Sequence, residues 1–169
     1  MQKVVITGHD LTVDQIIAVC REGAEVVLSD ESREKILASR QVVNELVEER
    51  KVVYGITTGF GKFSDVVISQ DECKLLQKNL IITHAVGAGD PFKEDIARGI
   101  LLLRVNSLSN GFSGICLETV ETMIAMLNKG VTPFIPEKGS LGASGDLAPL
   151  SHMVLPMIGL GMAWYKGEL

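Results

Sequence analysis

Three glycine-rich segments interrupt a chain whose other residues mostly repeat at helical spacing: residues 52–65, 83–92 and 139–146. Apolar residues fall on one face of a charged segment from Asp30 to about Arg50, and on one face of a later segment that ends at Gly130. KVVITG, residues 3–8, is the only stretch that resembles a strand. The pattern predicts a mainly α fold with a short strand near the N-terminus.

Local signals predict where several helices begin. Two capping boxes pair a hydroxyl with an amide or carboxylate three residues later: Thr12 with Gln15 and Ser69 with Glu72. The helix after Thr12 is expected to end at Gly23. Pro91 is expected at the first position of a further helix. The apolar segment MVLPMIGLGMAW, residues 153–164, is too short to span a bilayer and is predicted to be a buried helix.

Composition excludes several classes of protein. With 169 residues, 46% hydrophobic and 22% charged, the chain can bury a core and does not resemble a disordered protein. A net charge of −5 without a basic stripe argues against nucleic-acid and anionic-membrane partners. The three cysteines form no CxxC pair and are expected to be reduced and buried, as in a cytoplasmic protein. The N-terminus has no signal-peptide pattern, and no cluster has metal-ligand spacing.

The third glycine-rich segment, GSLGASGD, is compatible with several kinds of site. It lacks the Lys-Ser/Thr pair of a phosphate-binding P-loop, and no parallel-sheet pattern precedes it. A serine hydrolase would need Gly-x-Ser-x-Gly around Ser144, but Asp146 stands where the second glycine belongs. The segment could also be an ordinary helix start, with Asp146 complementing the helix dipole.

Ala143-Ser144-Gly145 has the residues that backbone cyclisation requires. Gly145 has an unhindered amide nitrogen that can bend back onto the carbonyl carbon of Ala143. Ser144 can then lose its hydroxyl as water, which leaves an exocyclic alkene. The product would be an electrophile made from the chain alone, and the positive end of the following helix would help it to accept electrons.

The stretch GSLGASGDLAPLSHM resembles the signature of the histidine and aromatic amino-acid ammonia-lyases. YGITTGFGKFSD and NLIITHAVGAGDPF resemble two further segments of that family, in the family's order. The resemblance extends from Val4 to Leu169 and implies the helical N-terminal portion of an ammonia-lyase/fumarase-like fold. It also implies the group 4-methylidene-imidazol-5-one (MIO), which the family forms from Ala-Ser-Gly, and no dissociable cofactor.

The resemblance also implies roles for individual residues. The MIO group would form from Ala143, Ser144 and Gly145, with Tyr54 as an acid/base group and with supporting residues around them: Gly59, Gly61, Gly142 and Asp146. His84 would contact the substrate ring, and His84 followed by Ala85 looks most like a histidine lyase. Taken alone, Tyr54 and His84 could instead be buried core residues. His152 is interpreted as structural, and His9 carries no signal.

The implied reaction is the elimination of ammonia from L-histidine to give trans-urocanate, as in histidine degradation, by a cytoplasmic homotetramer. Family members are much longer, so residues 1–169 are expected to be the MIO-carrying region of a longer lyase and to be inactive alone. A tyrosine or phenylalanine ammonia-lyase or aminomutase of the same family is the near alternative. A non-catalytic helical fragment with unmodified Ser144 is the alternative from another class.

Overall fold

Six α-helices and six short strands form the part of the chain that the structure describes. This computed structural model describes residues 2–61, 70–140, 143 and 145–169, with the backbone alone at residues 70, 71, 73 and 74. The helices are α1 Val13–Arg21, α2 Asp30–Glu48, α3 Gln70–His84, α4 Glu94–Leu108, α5 Leu117–Lys129 and α6 Leu147–Val154. The strands are β1 Lys3–Ile6, β2 Glu25–Leu28, β3 Ala88–Pro91, β4 Val131–Pro133, β5 Pro136–Lys138 and β6 Ala163–Tyr165. The predicted mainly α class is confirmed.

The N-terminal strand pairs with a second strand that the sequence pattern did not predict. β1 and β2 are parallel and are connected by α1, and their inward residues are buried in register, Val4 beside Val26 and Ile6 beside Leu28. Asn128, in the last turn of α5, hydrogen-bonds to the outer edge of β2. The Val26 N–H donates to Asn128 Oδ1 at 2.8 Å, and Asn128 Nδ2 donates to the Val26 carbonyl at 2.9 Å. One amide side chain therefore attaches α5 to the sheet.

The core lies between this small sheet and helices α1, α4 and α5. Its apolar residues recur at helical spacing, because one face of each helix is buried against the rest of the protein. Two helices supply nearly half of the buried apolar side chains of the described residues, among them Leu101, Leu102 and Val105 from α4, and Val120, Met123 and Leu127 from α5. Among the described residues, no helix is long and apolar enough to cross a membrane.

The local capping signals hold wherever the structure describes them. Thr12 accepts the Gln15 N–H at 3.3 Å, and the Gln15 side chain accepts the Thr12 N–H at 2.9 Å, so the first capping box is confirmed. Gly130 ends α5 in the left-handed conformation, and α2 spans the predicted charged segment. Ser69, the first residue of the other capping box, lies outside the described residues.

The predicted helix start at Pro91 is wrong. Pro91 does not open a helix but ends β3, and α4 begins at Glu94. The reason is tertiary, since β3 pairs antiparallel with β5 and the next residue, Phe92, donates its N–H to the Ile135 carbonyl at 2.9 Å. The prediction that nothing beyond the first residues forms a sheet is therefore also wrong. Three two-stranded sheets are present in the described part.

Residues 153–164 are not a single buried helix, which corrects another prediction. α6 ends at Val154 and continues as a 3-10 turn over Leu155–Ile158, after which β6 pairs antiparallel with β4. Trp164 on β6 stacks on Phe134 with the ring centroids 5.3 Å apart.

The cysteines are less buried than expected. Cys20 and Cys116 are half-buried, and the side chain of Cys73 lies outside the described residues.

Candidate functional site

The segment that carries Ala-Ser-Gly is described only at some of its positions. Leu141, Gly142 and Ser144 lie outside the described residues, while Ala143 is in an exposed turn. Gly145 has a φ of +91°, in the left-handed region that residues with a Cβ rarely adopt. A Cβ added at Gly145 would meet nothing within 4 Å. Backbone conformation, rather than a lack of space, is therefore what favours glycine here.

Ser140 caps the helix that follows this segment. Its Oγ accepts the N–H of Ala148, in the first turn of α6, at 3.0 Å. Asp146 occupies the N-cap position, but its carboxylate makes no cap hydrogen bond. Its position at the N-terminus of α6 agrees with the interpretation that its charge complements the helix dipole. With the capping hydrogen bond made by Ser140, the exposed Asp146 carboxylate stands next to Gly145.

His84 is the last residue of α3, and its ring has a defined orientation. Its Nδ1 lies 2.8 Å from the Leu80 carbonyl oxygen and 3.3 Å from Thr83 Oγ1. Because a carbonyl oxygen can only accept, Nδ1 must carry the hydrogen. In the neutral ring Nε2 is then left as an acceptor. His84 is half-buried, so it is not the enclosed core histidine of the alternative interpretation.

Tyr54 is exposed, with 62% of its surface accessible, which rules out an ordinary buried tyrosine. Its ring packs edge-on against Phe60 with the centroids 5.8 Å apart. The Gly61 N–H approaches the Tyr54 hydroxyl at 3.5 Å. The phenol is thus oriented by its own loop and remains accessible.

Two buried threonines hold the backbone of the Tyr54 loop. The Thr57 hydroxyl accepts the Val53 N–H at 2.9 Å, and the Thr58 hydroxyl accepts the Gly55 N–H at 3.3 Å. Gly59, which follows them, is buried. No role was predicted for these threonines from the sequence, although their position between Gly55 and Gly59 is typical of a tight turn.

His152 connects the second glycine-rich segment to α6, the helix that follows the third segment. The Gly87 N–H donates to His152 Nε2 at 3.0 Å and so joins the residues after α3 to α6. Burial lowers the pKa of His152 from its ordinary value. Ile81 of α3 and Leu150 of α6 also line one cavity of about 600 Å³. The hydrogen bond described for Tyr54, in contrast, stays within its own loop.

In the part of the chain that is described, no group of three or more His, Cys, Asp or Glu side chains is placed to hold a metal ion. The described residues of the Ala-Ser-Gly segment are compatible with the group that the resemblance implies. Gly145, with a φ of +91°, would provide the amide nitrogen, and the exposed carboxylate of Asp146 follows it.

Comparison with known proteins finds relatives along nearly the whole chain. The family described as aromatic amino acid lyase matches residues 11–169. A histidine ammonia-lyase from Caldanaerobacter subterraneus subsp. tengcongensis is 61% identical over 168 residues, which are 99% of this chain and 33% of that protein. The chain spans about a third of the length of the curated relatives it matches.

Two solved structures share the fold. The crystal structure of histidine ammonia-lyase from Trypanosoma cruzi matches with a TM-score of 0.90 and 42% identity, over 99% of this chain and 32% of the other. Tyrosine aminomutase from Streptomyces globisporus matches with a TM-score of 0.88 and 37% identity, over 98% of this chain and 31% of the other.

Proposed function

The chain belongs to the aromatic amino acid lyase family, and from this we propose that it is the electrophile-carrying part, residues 1–169, of a histidine ammonia-lyase. The proposed reaction is the elimination of ammonia from L-histidine to give trans-urocanate. The observation that carries the substrate assignment is the His84 ring, whose Nδ1 is bound to the Leu80 carbonyl. Neutral His84 offers Nε2 as an acceptor, and an imidazole N–H is a matching donor.

The prosthetic group in this proposal is MIO, made from three residues of the chain. The Gly145 nitrogen bonds to the Ala143 carbonyl carbon with loss of one water, and Ser144 loses a second water. Once formed, MIO supplies an electrophile for the substrate. The left-handed conformation of Gly145 supports this assignment, and so does the Asp146 carboxylate, which assists the cyclisation.

Other residues of the chain bind the substrate and move its protons in this proposal. Tyr54 exchanges a proton with the substrate, and its accessible hydroxyl is compatible with that role. Gly59 and Gly61 shape the loop that orients it. His84 binds the substrate ring. The resemblance to the family further implies a homotetramer in the cytoplasm.

The test uses the full-length lyase, meaning these residues within a chain of the relatives' length. Incubation with L-histidine should give urocanate absorbance, and intact mass should be lower by two waters. Ser144→Ala should abolish both. The 169-residue polypeptide alone should form no urocanate. Full-length enzyme that retains its unmodified mass and does not consume histidine would contradict the proposal.

A tyrosine-specific lyase or aminomutase is the second candidate, because a tyrosine aminomutase shares the fold at 37% identity. Neutral His84 could also accept a phenol O–H. Coumarate absorbance from L-tyrosine, exceeding urocanate absorbance from L-histidine, would favour it. His84→Phe should lower kcat/KM for histidine at least about tenfold more than for phenylalanine, since it removes a hydrogen bond to the ring. His9→Phe, at an exposed turn, is the matched control and should change neither value.

A further inference from the structure

The hydrogen bond between Gly87 and His152 joins residues 65 positions apart in the sequence, and the space beside Gly87 is tight. A Cβ placed on Gly87 would lie 3.1 Å from two atoms of the His152 ring and 3.1 Å from Pro136. The backbone of Gly87 therefore lies directly against the imidazole. The φ of Gly87 is outside the left-handed region, so close approach to His152 and Pro136, rather than backbone conformation, is what favours glycine here.

His152 can make this contact only in one protonation state. A backbone N–H donates, so Nε2 must present its lone pair, and the neutral ring then carries its hydrogen on Nδ1. The burial that lowers the pKa of His152 favours the same neutral form. His152 is thus an acceptor with a fixed role rather than a passive filler of the helix face.

The backbone bound by His152 is continuous with the residue proposed to bind the substrate ring. Gly87 follows His84 by three residues, and the turn between them is closed by the Val86 N–H, which donates to the His84 carbonyl at 2.9 Å. The Ala85 N–H donates to the Ile81 carbonyl at 3.1 Å, which ties the same turn to α3. A shift of Gly87 would therefore be transmitted to the end of α3, where His84 lies.

The backbone of His152 is part of α6, the helix that follows the Ala-Ser-Gly segment. α6 begins at Leu147, two residues after Gly145. Its first turn is held by Ser140. The imidazole of His152 therefore links the segment that carries the electrophile to the turn that carries His84.

We propose that His152 is a positioning residue that sets the separation between the His84 ring and the Ala143–Gly145 segment and thereby controls binding of the substrate ring. This inference rests on the proposed function. Its effect would be on recognition of histidine, because His152 acts through His84. It predicts a rise in KM for histidine when the Nε2 acceptor is lost, with a smaller change in kcat and no change in MIO formation.

Two variants of His152 show whether the residue matters as a hydrogen-bond acceptor or only because its side chain fills space. His152→Leu fills a similar space without an acceptor and should raise KM for histidine roughly 3- to 10-fold, the equivalent of one net hydrogen bond. His152→Gln retains an acceptor and should stay within about twofold of the unaltered enzyme. Intact mass, measured on each variant, should show the loss of two waters in all of them.

Gly87→Ala tests the same contact without changing His152. Alanine keeps the N–H donor and strains no backbone angle, but its Cβ pushes against the ring. It should raise KM for histidine in the same direction as His152→Leu, which keeps the proposal testable if the leucine variant fails to fold. Gly99→Ala, whose Cβ would meet only Cys20 Sγ at 3.8 Å, is the matched control and should leave KM unchanged.

Combining His152→Leu with His84→Phe shows whether one residue acts through the other. The effect of the leucine substitution on KM should largely disappear when His84 is already phenylalanine, because coupled residues are not additive. An unchanged KM in both His152→Leu and Gly87→Ala, equal losses in the Leu and Gln variants, or full additivity with His84→Phe would each overturn the proposal. Failure of the unaltered full-length enzyme to convert histidine would instead refute the proposed function.

Discussion

Replacing Gly145 with alanine should slow formation of MIO much more than it disturbs the fold. Gly145 has a φ of +91°, and an alanine Cβ at this position would contact nothing within 4 Å. The cost is therefore backbone strain, about 1–2 kcal/mol for an L-residue in the left-handed region. If the loop keeps this conformation before ring closure, that strain lowers its population by a factor of about 5–30. The rate of dehydration should fall by the same factor.

The assay is intact mass of the full-length lyase, sampled at fixed times after cell-free synthesis, with the fraction of chains that have lost two waters as the readout. Gly130→Ala is the matched control, since Gly130 has a φ of +70° and an added Cβ there would also meet nothing within 4 Å. It should lower the free energy of unfolding by a similar 1–2 kcal/mol or so while dehydration proceeds at the normal rate. Equal dehydration rates in Gly145→Ala and the unaltered chain would refute the reasoning.

Two further predictions concern α6. Ser140→Ala removes the acceptor of the Ala148 N–H and should lower the free energy of unfolding, measured by urea titration, by about 1 kcal/mol. Ser140→Thr keeps a hydroxyl and should retain most of the stability. An alanine variant as stable as the unaltered chain would contradict the capping role of Ser140. Burial lowers the pKa of His152, so below about pH 6.5, the ordinary histidine pKa, the unfolded chain binds a proton that the folded chain does not. The neutral, buried His152 therefore contributes stability that is fully present above pH 6.5 and is lost as pH falls through the folded-state pKa. The free energy of unfolding of His152→Gln should decrease less over that pH range than that of the unaltered chain.

The helices were predictable because their determinants are local. The Thr12–Gln15 capping box, the one-sided apolar pattern of α5 and the terminating glycine at 130 are each contained within a few residues, and each occurs as expected. Such signals satisfy the free N–H and C=O groups at helix ends without any help from distant parts of the chain.

The short strands escaped prediction because their partners are distant in sequence. β4 and β6 have three residues each and pair Thr132 with Trp164. Three residues are too few to show an alternating pattern. In β3, Pro91 follows Asp90, a sequence typical of a helix start, but pairing with β5 overrides that local preference. Strand formation here is a property of the assembled core.

In the candidate site, too, the features with local determinants were predictable from the sequence, and those that depend on distant contacts were not. Ala143-Ser144-Gly145 could be proposed from sequence as the cyclising segment because the chemistry of cyclisation needs small, adjacent residues. The role of Ser140 as the cap of α6 was not visible, since the acceptor and Ala148 are eight residues apart with a loop between them. His152 was interpreted as merely structural because nothing in its neighbourhood points to Gly87. A motif can thus suggest which groups react, while the spacing between those groups depends on contacts that only the folded chain creates.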